Sequence, residues 1–382
     1  MNIVVAIDSF KGSLTSLEAG DTAKRGILAV FPTAKVDVRP LADGGEGTVE
    51  ALVVGMGGEM QVVEVAGPLG ETVQAKYGVL PDGKTAIMEM AAASGITLVP
   101  PENRNPLNTT TYGVGEIIVD AISRGCRRFI VGIGGSSTND GGIGMLQALG
   151  FRLLDVAGKD VPRGALGLKE LATIDASDVL PELDECVFRV ACDVTNPLCG
   201  KKGCSVVFGS QKGATTADVS RMDKWLAKYA ELSSQSGFTT NPDEPGAGAA
   251  GGLGFAFRTF TNAKLESGVN IVLAETRLED YVKEADLVIT GEGRLDGQTV
   301  MGKAPIGVAK IAKKYGKTVI AFAGCVSSDA KICNEHGIDA FFPILRSTMT
   351  LEEALELETA KQNMVATVEQ AMRLISIGWI FQ

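Results

Sequence analysis

One stretch, DLVITGEGRLDGQTVMGKAP from Asp286 to Pro305, carries the densest set of chemically competent side chains in the chain. Glu292, Arg294, Asp296 and Lys303 follow one another there, spaced by Gly291, Gly293, Gly297 and Gly302. Carboxylates can hold a metal ion or take a proton, and cations can face phosphate or carboxylate. Glycines let a backbone approach a ligand with no Cβ in the way. A glycine-rich surface turn with solvated charges is the plainer alternative, but it does not ask for so many kinds of polar group after one buried strand. That strand is the apolar run Leu287-Val288-Ile289, short and continuous enough to be covered on both faces. Open α/β sheets place their ligands beyond the carboxyl ends of such strands.

What the chain lacks narrows the chemistry. His336 is the single histidine, so a Ser-His-Asp triad, an HExxH zinc site or a histidine-rich metal centre would rest on it alone. It sits in NEHGID, ahead of a glycine that reads as a helix end. A general base is therefore expected among Asp and Glu. Seven cysteines is an odd number, which rules out a complete disulfide framework and fits a reducing, cytoplasmic setting. Cys192, Cys199 and Cys204 cluster without a CxxC, a poor match to a structural zinc site. The formal charge of −10 and the absence of a basic run argue against a nucleic-acid partner. No run approaches the ~18 apolar residues that span a bilayer, and MNIVVAIDSFKGS lacks the basic region of a secretory signal.

Other strand ends repeat the pattern. Ile3 to Ile7 is an apolar run that stops at Asp8-Ser9-Phe10-Lys11-Gly12, and Thr15-Ser16-Leu17-Glu18 then spells a capping box, as Thr350-Leu351-Glu352-Glu353 does where the long last helix is expected to start. Val36 to Val38 leads to Leu41-Ala42-Asp43-Gly44-Gly45-Glu46-Gly47. Arg128 to Ile133 runs into Gly134-Gly135-Ser136-Ser137, a stack of amides and hydroxyls ahead of a helix and a natural anion cradle, with a packed turn as the alternative. Val187 to Ala191 ends near Asp193, which is equally suited to capping a loop. Pro245 to Gly254 carries no cation and reads as backbone packing or a hinge. Gly297 to Ala304 nearly spells a P-loop, but Ala304 has no hydroxyl for magnesium and the strand ends too early; Lys303 can still meet phosphate. The first loop has no GxGxxG, which removes the main support for a dinucleotide-dependent hydride transfer.

These elements alternate strand and helix at both ends of the chain, the signature of a doubly wound α/β sheet. Residues 73–80 and 84–90 instead flank Pro81-Asp82-Gly83 as a hairpin. The simplest architecture is an α/β protein of two domains. A discontinuous Rossmann-like domain, 1–72 and 262–382, is interrupted by an inserted α/β domain, 73–261, with a mixed sheet, and ligand loops face a cleft between them.

Six motifs in one order carry a resemblance: Asp8-Ser9-Phe10-Lys11, Ala42 to Thr48, Gly132 to Gly142, Asp193-Val194-Thr195-Asn196-Pro197, Pro245 to Gly254, and Thr290-Gly291-Glu292-Gly293-Arg294. Together they resemble the type 1 glycerate kinase family from end to end. The resemblance implies ATP-dependent, Mg2+-requiring phosphorylation of D-glycerate by a two-domain α/β enzyme, with bacterial members read as making 2-phosphoglycerate. Phosphorylation at the 3-hydroxyl, or a hydroxy-acid-binding protein that is not a kinase, are the alternatives. Phosphoryl transfer asks for positioned cations and a carboxylate near the acceptor hydroxyl. Residue type and strand-end placement then suggest Asp296 as base, with Asp193 as the alternative or as a magnesium ligand beside Glu292. Lys11 and Arg294 suit the glycerate carboxylate or the γ-phosphate, Ser9 and Asp43 the substrate, and Gly134, Gly135, Ser136, Ser137 and Lys303 the nucleotide phosphates.

Overall fold

Apolar runs flanked by turn residues become the strands of two large sheets, as their burial demands. The computed structural model describes residues 1–42 and 47–380, the last two by backbone alone. In chain order the first strands are β1 (Asn2–Ile7), β2 (Lys35–Val38), β3 (Glu59–Ala66), β4 (Thr72–Val79), β5 (Thr85–Glu89) and β6 (Arg128–Gly132). After them come β7 (Arg152–Leu154), β8 (Thr173–Asp175), β9 (Val187–Ala191), β10 (Ala263–Glu266), β11 (Leu287–Leu295), β12 (Thr318–Val326) and β13 (Ala340–Pro343). The chain divides into two units, one holding β1 and everything from Val269, the other Gly57 to Gly268.

In the first unit the sheet order is β13-β12-β11-β1-β2, and all pairs are parallel. Ile3, Val5, Ile7, Ile289 and Phe322 fill one side of its core. The helix Ser16–Val30 starts on the expected capping box: Glu18 N–H donates to Thr15 Oγ1 at 3.2 Å, and Thr15 N–H to the Glu18 carboxylate at 3.0 Å. The chain turns from one direction of sheet growth to the other between β1 and β11, which makes that pair the topological switch point.

Two elements of this unit differ from the sequence reading. β11 runs on through Leu295, well past its apolar run, because β12 is equally long and pairs with it from Thr318 to Val326. Glu292 and Arg294 therefore stand on a strand, two residues apart and on one face. Thr350 caps only the short helix Leu351–Leu355; Glu356 is extended (φ −60°, ψ 130°), and the long helix is Leu357–Ile380.

The second unit has the expected mixed sheet, β10-β9-β6-β5-β4-β3, antiparallel from β3 to β5 and parallel from β5 to β10. Its limits are wider than 73–261. The Gly67-Pro68-Leu69-Gly70 turn is internal to a hairpin, since β3 pairs with β4 along its whole length, and β10 pairs with β9. Strand pairing, which no local pattern reports, draws both segments into this sheet. The glycine-rich segment that opens the kinked helix Ala249–Phe260 packs closely. Gly251 has φ 69°, and a Cβ on it would lie 2.1 Å from the Thr138 carbonyl oxygen.

Candidate active site

β1 and β11 deliver their carboxyl-end side chains to one cavity of about 390 Å³ in the first unit. The ladder ties these ends together, with Asp8 N–H donating to the Gly291 carbonyl at 2.9 Å. Asp8, Ser9 and Lys11 line the cavity from β1, and Glu292, Arg294 and Asp296 from β11. Lys303 joins them from the start of the helix Ala304–Lys314. Leu345, Leu351 and Leu355 give it an apolar wall.

The polar side is a connected network. Lys303 Nζ lies 3.4 Å from Glu292 Oε2 and 3.6 Å from Asp296 Oδ1, and Arg294 Nε lies 3.4 Å from Asp296 Oδ2. Thr299, fully buried, ties the Glu292 carboxylate to the backbone of Asp296. Its hydroxyl donates to Glu292 Oε1 at 2.6 Å and accepts from Asp296 N–H at 3.2 Å. Asp296 Oδ1 also accepts from Gln298 N–H at 2.9 Å, which fixes the turn. Glu292 is the buried member, and loss of water pushes its pKa up while Thr299 and Lys303 oppose the shift. A half-buried carboxylate between two cations, beside a cavity, can meet a hydroxyl and anionic groups together.

The remaining expected residues lie elsewhere. Asp193 and Gly134, Gly135, Ser136 and Ser137 belong to the second unit. Asp193 is exposed at the end of β9, and its Oδ1 accepts from Gly268 N–H at 3.2 Å. Ser137 is buried, with its hydroxyl on the Ser94 carbonyl at 2.9 Å, whereas Gly134 and Gly135 are exposed. Ser137 thus serves packing and the glycines face outward. Asp43 lies outside the described residues. His336 closes the short helix Ile332–Glu335, its Nδ1 3.0 Å from the Ile332 carbonyl oxygen.

The model of the glycerate kinase family matches residues 3–376. The chain belongs to the glycerate kinase family. A glycerate 2-kinase of Escherichia coli (strain K12) is 48% identical over 378 residues, covering 98% of this chain and 99% of the relative. A glycerate kinase of Bacillus subtilis (strain 168) is 48% identical over 382 residues, covering 99% and 100%. A crystal structure from Salmonella typhimurium LT2, provisionally described as glycerate kinase 2, aligns with a TM-score of 0.92 at 47% identity over 99% of each chain. The chain is accordingly a kinase of α/β fold, as the motifs implied. Among its described residues no helix is long and apolar enough to cross a membrane.

Two residues of this glycerate kinase family member escaped the sequence reading. Thr299 had a usable signal, since Asp296-x-x-Thr299 has the spacing of a side-chain-capped turn. Lys212, buried in the second unit with its ammonium 2.8 Å from Ser136 Oγ, had none.

Proposed function

We propose that this chain transfers the γ-phosphoryl group of ATP to the 2-hydroxyl of D-glycerate, forming 2-phosphoglycerate and ADP. The observation that carries the reading is the Asp296–Lys303–Glu292 network with Arg294, set at the switch point of a parallel sheet. Glycerate occupies the first unit's cavity, its carboxylate on Lys11 and Arg294 and a hydroxyl toward Ser9 and Asp296. The hydroxyl oxygen attacks the γ-phosphorus, the bond from that phosphorus to the β-bridging oxygen breaks, and the hydroxyl proton passes to Asp296. Lys303 balances charge on the transferring group. The exposed Gly134–Gly135 backbone, with Ser136, takes the nucleotide phosphates, and Asp43 contacts substrate.

Among the described residues no three His, Cys, Asp or Glu side chains gather as a metal cage. Mg2+ in kinase sites uses one or two carboxylates together with water and substrate phosphates. Glu292 fits that demand, because each of its oxygens keeps a lone pair beyond its contact with Thr299 or Lys303. When bound, the ion neutralises charge on the β- and γ-phosphates.

A phosphorus NMR spectrum of the product from D-glycerate and MgATP tests the reading. A phosphate resonance split by the single methine proton is expected. Splitting by two methylene protons would assign the 3-hydroxyl instead. Binding of glycerate with no phosphorylated product would overturn the assignment of D-glycerate as the phosphoryl acceptor.

A further inference from the structure

Lys212 closes the turn Ser210–Lys212 with its side chain buried in the second unit. Its ammonium donates to the Thr138 carbonyl at 2.7 Å and to Ser136 Oγ at 2.8 Å, both neutral acceptors. Among the described residues no carboxylate stands within ion-pair distance of it. Asp140 acts on it through its field but makes no ion pair with it; its carboxylate accepts from Thr111 N–H, Thr111 Oγ1 and Gly142 N–H at 2.8, 2.9 and 3.1 Å, and burial raises its pKa. Cys204, the other titratable neighbour, is a neutral thiol, its pKa pushed up to about 12 by burial. Burial lowers Lys212 to about 8, so it stays largely charged at neutral pH. A buried cation with no carboxylate in direct contact is costly to keep, and a bound anion offsets that cost.

The segment above this ammonium is open. Gly134 and Gly135 are exposed, and a Cβ on Gly134 would meet no atom within 4 Å. The N–H groups of Gly134, Gly135 and Ser136 donate to no oxygen among the described residues, while Ser137 N–H is taken by the Ser94 carbonyl at 3.0 Å. Successive free amides over a buried charge form an anion-binding concavity.

We propose that Lys212 is the buried cation of an anion site rimmed by Gly134, Gly135 and Ser136, and that this site takes the phosphate chain of a nucleoside triphosphate. The inference rests on the reading of this loop as nucleotide-binding and adds the charge that makes it selective for polyanions. Ser136 Oγ, held by the ammonium, is oriented to relay that charge to the ligand.

The test uses the full chain, inorganic tripolyphosphate and ATP as probes, and calorimetric titration beside thermal melting. Lys212→Met should weaken both probes by about 10–100-fold, the worth of a charge-assisted hydrogen bond, and leave the Michaelis constant for D-glycerate in place. Without ligand, Lys212→Met should melt at or above the native temperature, because an unpaired buried charge has been removed. The native protein's gain in melting temperature with tripolyphosphate should vanish. Lys212→Gln, which keeps a hydrogen-bond donor without charge, should lose the same gain and serves if the methionine variant does not fold. A lower melting temperature with ligand protection intact in either variant would overturn the proposal and leave Lys212 structural. Gly134→Val separates the two readings. If it weakens ATP while the Lys212 variants do not, only Lys212 is wrong; if it too leaves ATP binding unchanged, the loop does not bind nucleotide.

Discussion

Removing the cation from Glu292 should cost stability in a way that depends on pH. At 3.4 Å, two unit charges attract by about 5 kcal/mol at an effective dielectric of ~20. The Lys303 side chain is 35% exposed and Glu292 10%, so solvent screens the pair, and the expected coupling falls to about 2 kcal/mol. A double-mutant cycle of Glu292→Gln and Lys303→Met, read by urea unfolding at pH 7, measures it. Glutamine keeps an acceptor for Thr299, which isolates the charge. Burial raises the folded-state pKa of Glu292 above its ordinary value of 4.5. The folded state therefore holds the proton more tightly than the unfolded chain, and stability falls as pH rises from 4.5 through the folded pKa. Lys303→Met widens that window upward by deepening the shift. The coupling itself needs ionised Glu292, so it should disappear as pH falls below 4.5 and be full above the folded pKa. A coupling below about 0.5 kcal/mol at pH 7, or one that persists undiminished at acid pH, would refute the ion-pair account.

Other substitutions address the proposed chemistry. Asp296→Asn keeps the shape but loses the basic oxygen, so kcat should fall ~10²–10⁴-fold with the Michaelis constant for ATP nearly unchanged. Asp193→Asn should raise the magnesium concentration for half-maximal rate; near-normal turnover in both variants at saturating magnesium would exclude either as base. Gly134→Val should raise the Michaelis constant for ATP far more than that for glycerate. Because its Cβ meets no atom within 4 Å, an unchanged melting curve is the built-in control.

The sequence by itself determined the doubly wound sheet, the hairpin, the capping boxes and the chemistry-bearing strand ends, because each is written in residues close along the chain. Apolar runs mark β1, β9 and the first half of β11, and Thr15 and Glu18 cap across one helical turn. Six motifs in order were enough to indicate the family. The tertiary structure decided what depends on partners distant in sequence. Pairing with β4 and β9 moved β3 and β10 into the second unit, and pairing with β12 carried β11 through Glu292 and Arg294. Lys212 meets Ser136 across 76 residues, and no periodicity announces a contact of that reach. A lysine's type tells what it can do, but its burial and counter-charge, which set what it must bind, are fixed only when the chain has folded around it.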